Sequence, residues 1–376
     1  MEQKILVAPD KFKGSLSAYE ICLILKSEIL SVLPDAQVES CLLADGGDGS
    51  LDVLATYLDL EKQVCETVDP IGRLINSLYY TFNKTAYIEL ASASGLVLLD
   101  DSEKNPMLTS TYGTGLEILD AIDNGIENIY LFLGGSATND GGMGIAKAIG
   151  YTFYDQFDEA LKPIGASLNL IKKIVPPKRE LKIKTLKLCC DVANRPYGSN
   201  GAAYVYGSQK GASMEQIIEL DAGLENLCNE VKNYSGIDLS ELKGGGAAGG
   251  VATCLYGLLE AEIVSGFNMI SQVSKLESKI ANSDIIISGE GRLDGQSLNG
   301  KVISGVAEMC KKYRKRMLLV VGKNELSNEE IETLGVEKLF SVLEIAIDLQ
   351  DAISNGDKYM KVIGLKIVDY LNSENI

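Results

Sequence analysis

Five short, largely apolar runs in this chain each give way to a glycine-rich loop bearing acidic or hydrogen-bonding side chains. The runs are Ile5–Ala8, Val38–Leu43, Ile129–Leu133, Leu186–Cys190 and Asp284–Ser288. The loops after them are Ala8–Ser17, Ala44–Gly49, Gly134–Gly144, Asp191–Ala202 and Gly289–Lys301. Runs this short, without polar alternation, fit parallel strands buried on both faces. Helical stretches lie between them. Ser17-Ala-Tyr-Glu20 is a capping box, in which two side chains satisfy orphan amides of a helix start. The helix it opens reaches about Leu33, where Pro34 stops it. Ser50–Tyr57 and Lys301–Tyr313 are expected helices, and Met317–Val321 and Lys338–Val342 expected strands. Strand and helix in alternation imply parallel sheets joined by right-handed crossovers.

The middle of the chain has a different texture. Leu78–Phe82 and Ala86–Leu90 are strand-like with few helical patterns around them, and helices follow only later, within 214–232 and 251–260. At 376 residues the chain suits two domains better than one. Two sequential domains would leave the first β-α-β-α unit with only two strands and a poorly buried sheet. The expected organisation is therefore an α/β domain of residues 1–65 and 281–376, with a second α/β domain, 66–280, inserted. The active site is expected in the cleft between them.

The chain contains no histidine. That removes Ser-His-Asp and Cys-His catalysis, imidazole metal ligands and the usual neutral-pH base. Proton transfer falls to Asp, Glu, Lys, Tyr or Cys. The eight cysteines form no CxxC pair and read as reduced thiols in apolar runs. A net charge of -17 argues against nucleic acid as a partner, but not against one small anion site. No apolar run approaches a membrane span, and MEQKILVAPD reads as a strand without a signal-peptide core, so the expected location is cytoplasmic.

In open α/β sheets, ligands gather beyond the carboxyl ends of the strands. Glycine lets backbone amides approach phosphate oxygens, and carboxylates hold Mg²⁺ or take a proton. Five such loops together point to a site for a small anionic ligand, of the kind phosphoryl transfer uses. Two apparent motifs fail on context. Gly244–Gly249 fits the dinucleotide fingerprint GxGxxG but follows the polar SGIDLSELK and not a strand. A nicotinamide oxidoreductase is thereby disfavoured. Gly295-x4-Gly300-Lys301 fits a P-loop until Val302 replaces the Mg²⁺-binding hydroxyl.

Taken in order, the loops resemble the bacterial type-1 glycerate kinase family. The matching segments include APDKFKGSLSA, ADGGDGS, ELASASGL, STYGTG and GGSATNDGGMG, then CDVAN, GSQKGA, GGGAAGG and SGEGRLDGQSLNGK. Departures are Arg195-Pro196 and Ile303-Ser304, where the family's pattern has Pro-Leu and a Pro, and neither removes a charged or glycine position. The resemblance implies ATP as donor, Mg²⁺ as cofactor, and D-glycerate as the acceptor giving 2-phosphoglycerate. It also implies a discontinuous Rossmann-like parallel-sheet domain with the second α/β domain inserted. Phosphorylation at the 3-hydroxyl and a non-catalytic nucleotide or sugar-acid sensor stay open as alternatives, as does the oligomeric state.

Roles follow as hypotheses. Asp191, ending a strand of the central domain, is the expected base, with Asp10 its rival. Lys11, Lys13 and Arg292 are the expected cations for phosphate and substrate, and Asp45, Asp48 and Asp294 the expected Mg²⁺ ligands. Gly134, Gly135, Gly245, Gly246 and Gly249 are candidate backbone cradles; Ser136, Thr138, Asn139, Glu290 and Lys301 complete the candidate set. Asp140 reads equally well as a helix-start residue.

Overall fold

The computed structural model describes residues 3–47, 49–295, 297–298 and 302–373. The strands in chain order are β1 (Lys4–Pro9), β2 (Gln37–Ser40), β3 (Glu61–Val68), β4 (Leu74–Phe82) and β5 (Thr85–Glu89). Next come β6 (Asn128–Phe132), β7 (Thr152–Tyr154), β8 (Lys173–Val175), β9 (Thr185–Cys189) and β10 (Glu262–Val264). The last are β11 (Ile285–Leu293), β12 (Arg316–Asn324) and β13 (Lys338–Ser341). The fold is α/β, in two compact units: Met1–Asp45 with Phe267–Ile376, and Gly46–Gly266.

The discontinuous unit holds a parallel sheet in the order β13-β12-β11-β1-β2. β1 is uninterrupted apolar sequence because both its faces are covered; Ile5, Leu6 and Val7 are at most 1% exposed. Ile5 and Val7 meet the helices Ala18–Val32 and Gly356–Ser373, which supply Ile21, Leu25, Met360 and Ile363 to one core. The capping box forms as expected, with the Glu20 amide donating to the Ser17 hydroxyl and the Ser17 amide to the Glu20 carboxylate.

β11 departs from expectation. The strand continues through Leu293 where a loop was expected from Gly289, pairing with β12 as far as Leu293 opposite Asn324. The glycines misled. A Cβ on Gly289 would stand 2.3 Å from the Val320 carbonyl oxygen, and one on Gly322 2.3 Å from that of Gly291. They serve close strand packing here, and Glu290 and Arg292 are strand residues as a result.

The continuous unit is built on a sheet in the order β10-β9-β6-β5-β4-β3, with β7 and β8 forming a separate hairpin. β10, β9, β6 and β5 are parallel; β4 and β3 run antiparallel. The units divide earlier on both sides than the sequence pattern implied. Residues after Gly46 belong with the continuous unit because β3 pairs along its whole length with β4 and the Leu51 amide donates to the Glu89 carboxylate at 2.9 Å. Phe267 belongs with the other unit, its ring filling the space over Gly305.

A glutamate lies inside this core. Glu117, on the helix Tyr112–Asp123, is fully buried and paired with the Ser77 hydroxyl at 2.5 Å. Burial pushes its pKa well up, and the nearby negative charges of Glu89 and Asp120 add to that. A carboxyl raised in the fold contributes stability that is whole below the unfolded value, about 4.3, and is lost as pH rises through the folded one. Glu117→Gln is therefore expected to melt above the native protein at pH 8, by about 2–4 °C for each kcal/mol recovered. The gap should close towards pH 5. Thermal melts across that range check it, and a variant less stable at pH 8 than at pH 5 relative to native would contradict it.

Candidate active site

In the discontinuous unit the carboxyl ends of β1, β2 and β11 gather acidic groups. The Asp10 amide donates to the Gly289 carbonyl at 2.8 Å, which seats Asp10 beside the last residues of β11. Pairing beyond β2 continues as the Cys41 and Leu43 amides donate to the carbonyls of Val7 and Pro9, and this carries Asp45 to the same end. Burial pushes the Asp10 carboxyl well above its usual range; Asp45 and then Glu290 add repulsion, and the Lys11 amide at 2.7 Å opposes them. Crowded hard oxygens suit Mg²⁺, which takes one or two carboxylates and keeps water or phosphate oxygens for the rest. Among the described residues no group of three or more Asp, Glu or Cys is placed to hold a metal ion.

The expected cations are differently placed. Lys13 is exposed, with its backbone packed over Gly291, and Lys11 is half-buried. Arg292 is 63% exposed at its side chain and already paired with Glu325, 2.6 Å from Nη2. An exposed pair of this kind is weak, so a phosphate could displace Glu325 at little cost. Asp294 sits in the turn past β11, its amide donating to the Ser297 hydroxyl at 3.1 Å and its carboxylate 3.6 Å from Arg292. Asp48 and Lys301 lie outside the described residues.

In the continuous unit the loops after β6 and β9 and the segment Gly244–Gly250 pack on one another. Asp191 follows β9, half-buried, next to Cys190, whose thiol is pushed up to about 12 by burial, with the Asp191 charge adding to it. The Asn194 carbonyl accepts from the Gly246 amide at 3.0 Å, and the Gly249 carbonyl from the Gly141 amide at 3.0 Å. Ala248, Gly249 and Gly250 are all left-handed, at φ 52°, 70° and 89°. A Cβ on Gly249 would stand 2.1 Å from the Thr138 carbonyl oxygen, and one on Gly246 2.3 Å from that of Arg195. These glycines answer first to backbone crowding. Gly135 is likewise committed, its carbonyl accepting from the Leu96 amide at 2.9 Å.

Asp140 is fully buried and accepts from the Thr111 amide and hydroxyl, both at 2.8 Å, and from the Gly142 and Gly144 amides at 3.1 Å. It anchors the start of the helix Met143–Ala148, and of its two readings the structure favours this one. Ser136, Thr138 and Asn139 stand just before it. Thr138 and Asn139 are fully buried, and the Thr138 hydroxyl and both ends of the Asn139 amide have no hydrogen-bond partner in the structure. Leaving such groups unmatched costs about 1–3 kcal/mol each, which a bound water or ligand would recover.

Sequence reasoning passed over Lys210, within GSQKGA. It is 2% exposed, with Nζ 2.8 Å from the Ser136 hydroxyl and 2.6 Å from the Thr138 carbonyl. A lone lysine in a Gly/Ser turn gives no signal of burial; only the segment's place among the matching motifs marked it.

The model of the glycerate kinase family matches residues 5–372. The chain belongs to the glycerate kinase family. The kinase is 35% identical over 361 residues to the glycerate kinase of Halalkalibacterium halodurans, with 95% of each chain covered. It is 36% identical over 353 residues to the glycerate 2-kinase of Escherichia coli K12, covering 93% of each. It is also similar to the crystal structure of a candidate glycerate kinase 2 from Salmonella typhimurium LT2, at a TM-score of 0.80 and 31% identity over the whole of both chains. The kinase thus does its chemistry without histidine.

Proposed function

We propose that this kinase transfers the γ-phosphoryl group of ATP to the 2-hydroxyl of D-glycerate, giving 2-phosphoglycerate and ADP. Membership of the glycerate kinase family carries the reading, and the acidic groups Asp10, Asp45 and Glu290 in the discontinuous unit suit a phosphate-bound Mg²⁺. The choice of the 2-hydroxyl leans on the name of the Escherichia coli relative. Asp45 and Asp10 would hold the ion, with Asp294 and Asp48 as further candidates. When bound, the ion neutralises charge on the phosphate oxygens. Lys11, Lys13 and Arg292 offset the charge of the moving group, and Asp191 accepts or orients the proton of the acceptor hydroxyl. Ser136, Thr138 and Asn139 bind the small substrate. No helix among the described residues is long and apolar enough to cross a membrane; the cytoplasm is the proposed location.

The test is ADP release with D-glycerate, followed by phosphorus NMR of the product. The 2-phosphate is expected, with turnover lost in EDTA and restored by Mg²⁺. A 3-phosphate product overturns the regiochemistry, and glycerate binding without ADP release favours the sensor reading.

A further inference from the structure

Strand β3 ends the continuous unit's sheet on one side and pairs with β4 alone among the described residues. Such an edge presents unpaired amides and carbonyls, which a protein must either guard or use. The hairpin after β3 fixes which groups face outward. The Asp69 amide donates to the Arg73 carbonyl at 2.9 Å, and the Gly72 amide to the Asp69 carbonyl at 3.0 Å. Asp69 and Arg73 are thus a hydrogen-bonded pair, and such pairs alternate along an antiparallel ladder. Back along the strand, Thr67, Cys65, Gln63 and Glu61 turn their backbone groups to β4, while Glu66, Val64 and Lys62 turn theirs outward. Past Glu66 the edge is crowded, since a Cβ on Gly113 would stand 1.9 Å from the Val68 carbonyl oxygen. The open stretch is Lys62–Glu66.

Its side chains alternate as well. Cys65 is buried in one core with Ile118 and Ala121, whereas Lys62, Val64 and Glu66 are exposed on the other face, Val64 at 65%. A valine flanked by a cation and an anion makes this strand its own complement. Set antiparallel to a second copy about Val64, it places Val64 opposite Val64 and each Lys62 opposite the other copy's Glu66. All three pairs then fall at the hydrogen-bonded positions that the outward groups require. Within one chain the two charges stand about 13 Å apart along the strand and cannot meet. Other registers are worse. One step puts Lys62 against Val64, or Val64 against Glu66; two steps put Lys62 against Lys62, or Glu66 against Glu66, and like charges directly opposite are unfavourable.

We infer that β3 is the interface of a two-fold dimer, in which Lys62–Glu66 of two copies pair antiparallel and join two six-stranded sheets. The axis passes between the two Val64 residues and leaves no second copy of this edge free, so association stops at two. The contact is short, and the dimer is expected to dissociate on dilution. Sedimentation velocity of the full chain from about 1 to about 100 µM should show a monomer passing to a dimer. Lys62→Glu sets acid against acid twice and is expected to weaken association about ten-fold or more, as is Val64→Lys. Lys62→Glu combined with Glu66→Lys exchanges the pairs and should restore the dimer. All three side chains are exposed, and circular dichroism melts establish that each variant is folded; if Lys62→Glu is not, Val64→Lys and the exchange are read in its place. A native protein monomeric throughout overturns the inference, as does association that grows past the dimer. So does a dimer indifferent to Lys62→Glu, or one lost there and not regained in the exchange. None of these outcomes depends on the reaction proposed above.

Discussion

Asp191→Asn is expected to lower kcat for glycerate phosphorylation about 10²–10⁴-fold, the usual loss when a positioned base is removed. The melting temperature and the KM for ATP should hardly move. Without histidine, the base must come from a short set, and the structure shortens it further. Glu117 and Asp140 are enclosed in the core and engaged by Ser77 and by the helix start. Cys22, Cys65, Cys190, Cys228 and Cys310 are pushed up to about 12 by burial, far from a useful thiolate. Asp191 remains half-exposed at the end of β9, and Asn keeps its shape while giving up its basicity. Asp10 is the rival, and its raised carboxyl would suit a base. The neighbouring charge of Asp45 gives it a competing task as a cation holder. The two roles separate experimentally. Near-native turnover in Asp191→Asn excludes it as the base, and an Asp10→Asn defect relieved by excess Mg²⁺ identifies a metal-holding role.

What the sequence disclosed follows from what glycine and burial leave visible in one dimension. β1 was legible because a central parallel strand is apolar on both faces, and Ile5–Ala8 shows no other pattern. The first helix was legible because Ser17 and Glu20 stand three apart, where their caps meet. The end of β11 was not legible. Glycine permits approach to a phosphate and approach to another strand equally, and at Gly289 the neighbour is Val320. The same ambiguity covers Gly246 and Gly249, whose missing side chains make room for Arg195 and Thr138. The rejection of Gly244–Gly249 as a dinucleotide fingerprint agrees with its local form, a left-handed kink after a turn and not a strand-to-helix junction. Lys210 illustrates the reverse problem: charge pattern places a lysine at the surface by default, and only the packing around Ser136 and Thr138 reveals otherwise.

Asp140→Ala is expected to cost the continuous unit about 3–5 kcal/mol, the range for breaking a fully buried, multiply bonded charged group. Thr111, Gly142 and Gly144 would each keep a buried amide facing the emptied space. A domain's whole stability is about 5–15 kcal/mol, so the loss is a large share of it. At about 2–4 °C per kcal/mol the melting temperature should fall by roughly 6–20 °C. Asp140→Asn should fall between, because it keeps the volume and one acceptor but turns an NH₂ group towards donors. Thermal melts of the three proteins decide the matter, and an alanine variant melting within a degree or two of native would refute the account. The stability effect and the proposed substrate site share one loop. The carboxylate that fixes the helix Met143–Ala148 stands next to Asn139, so the Asn variant should lose affinity for glycerate before it loses its fold.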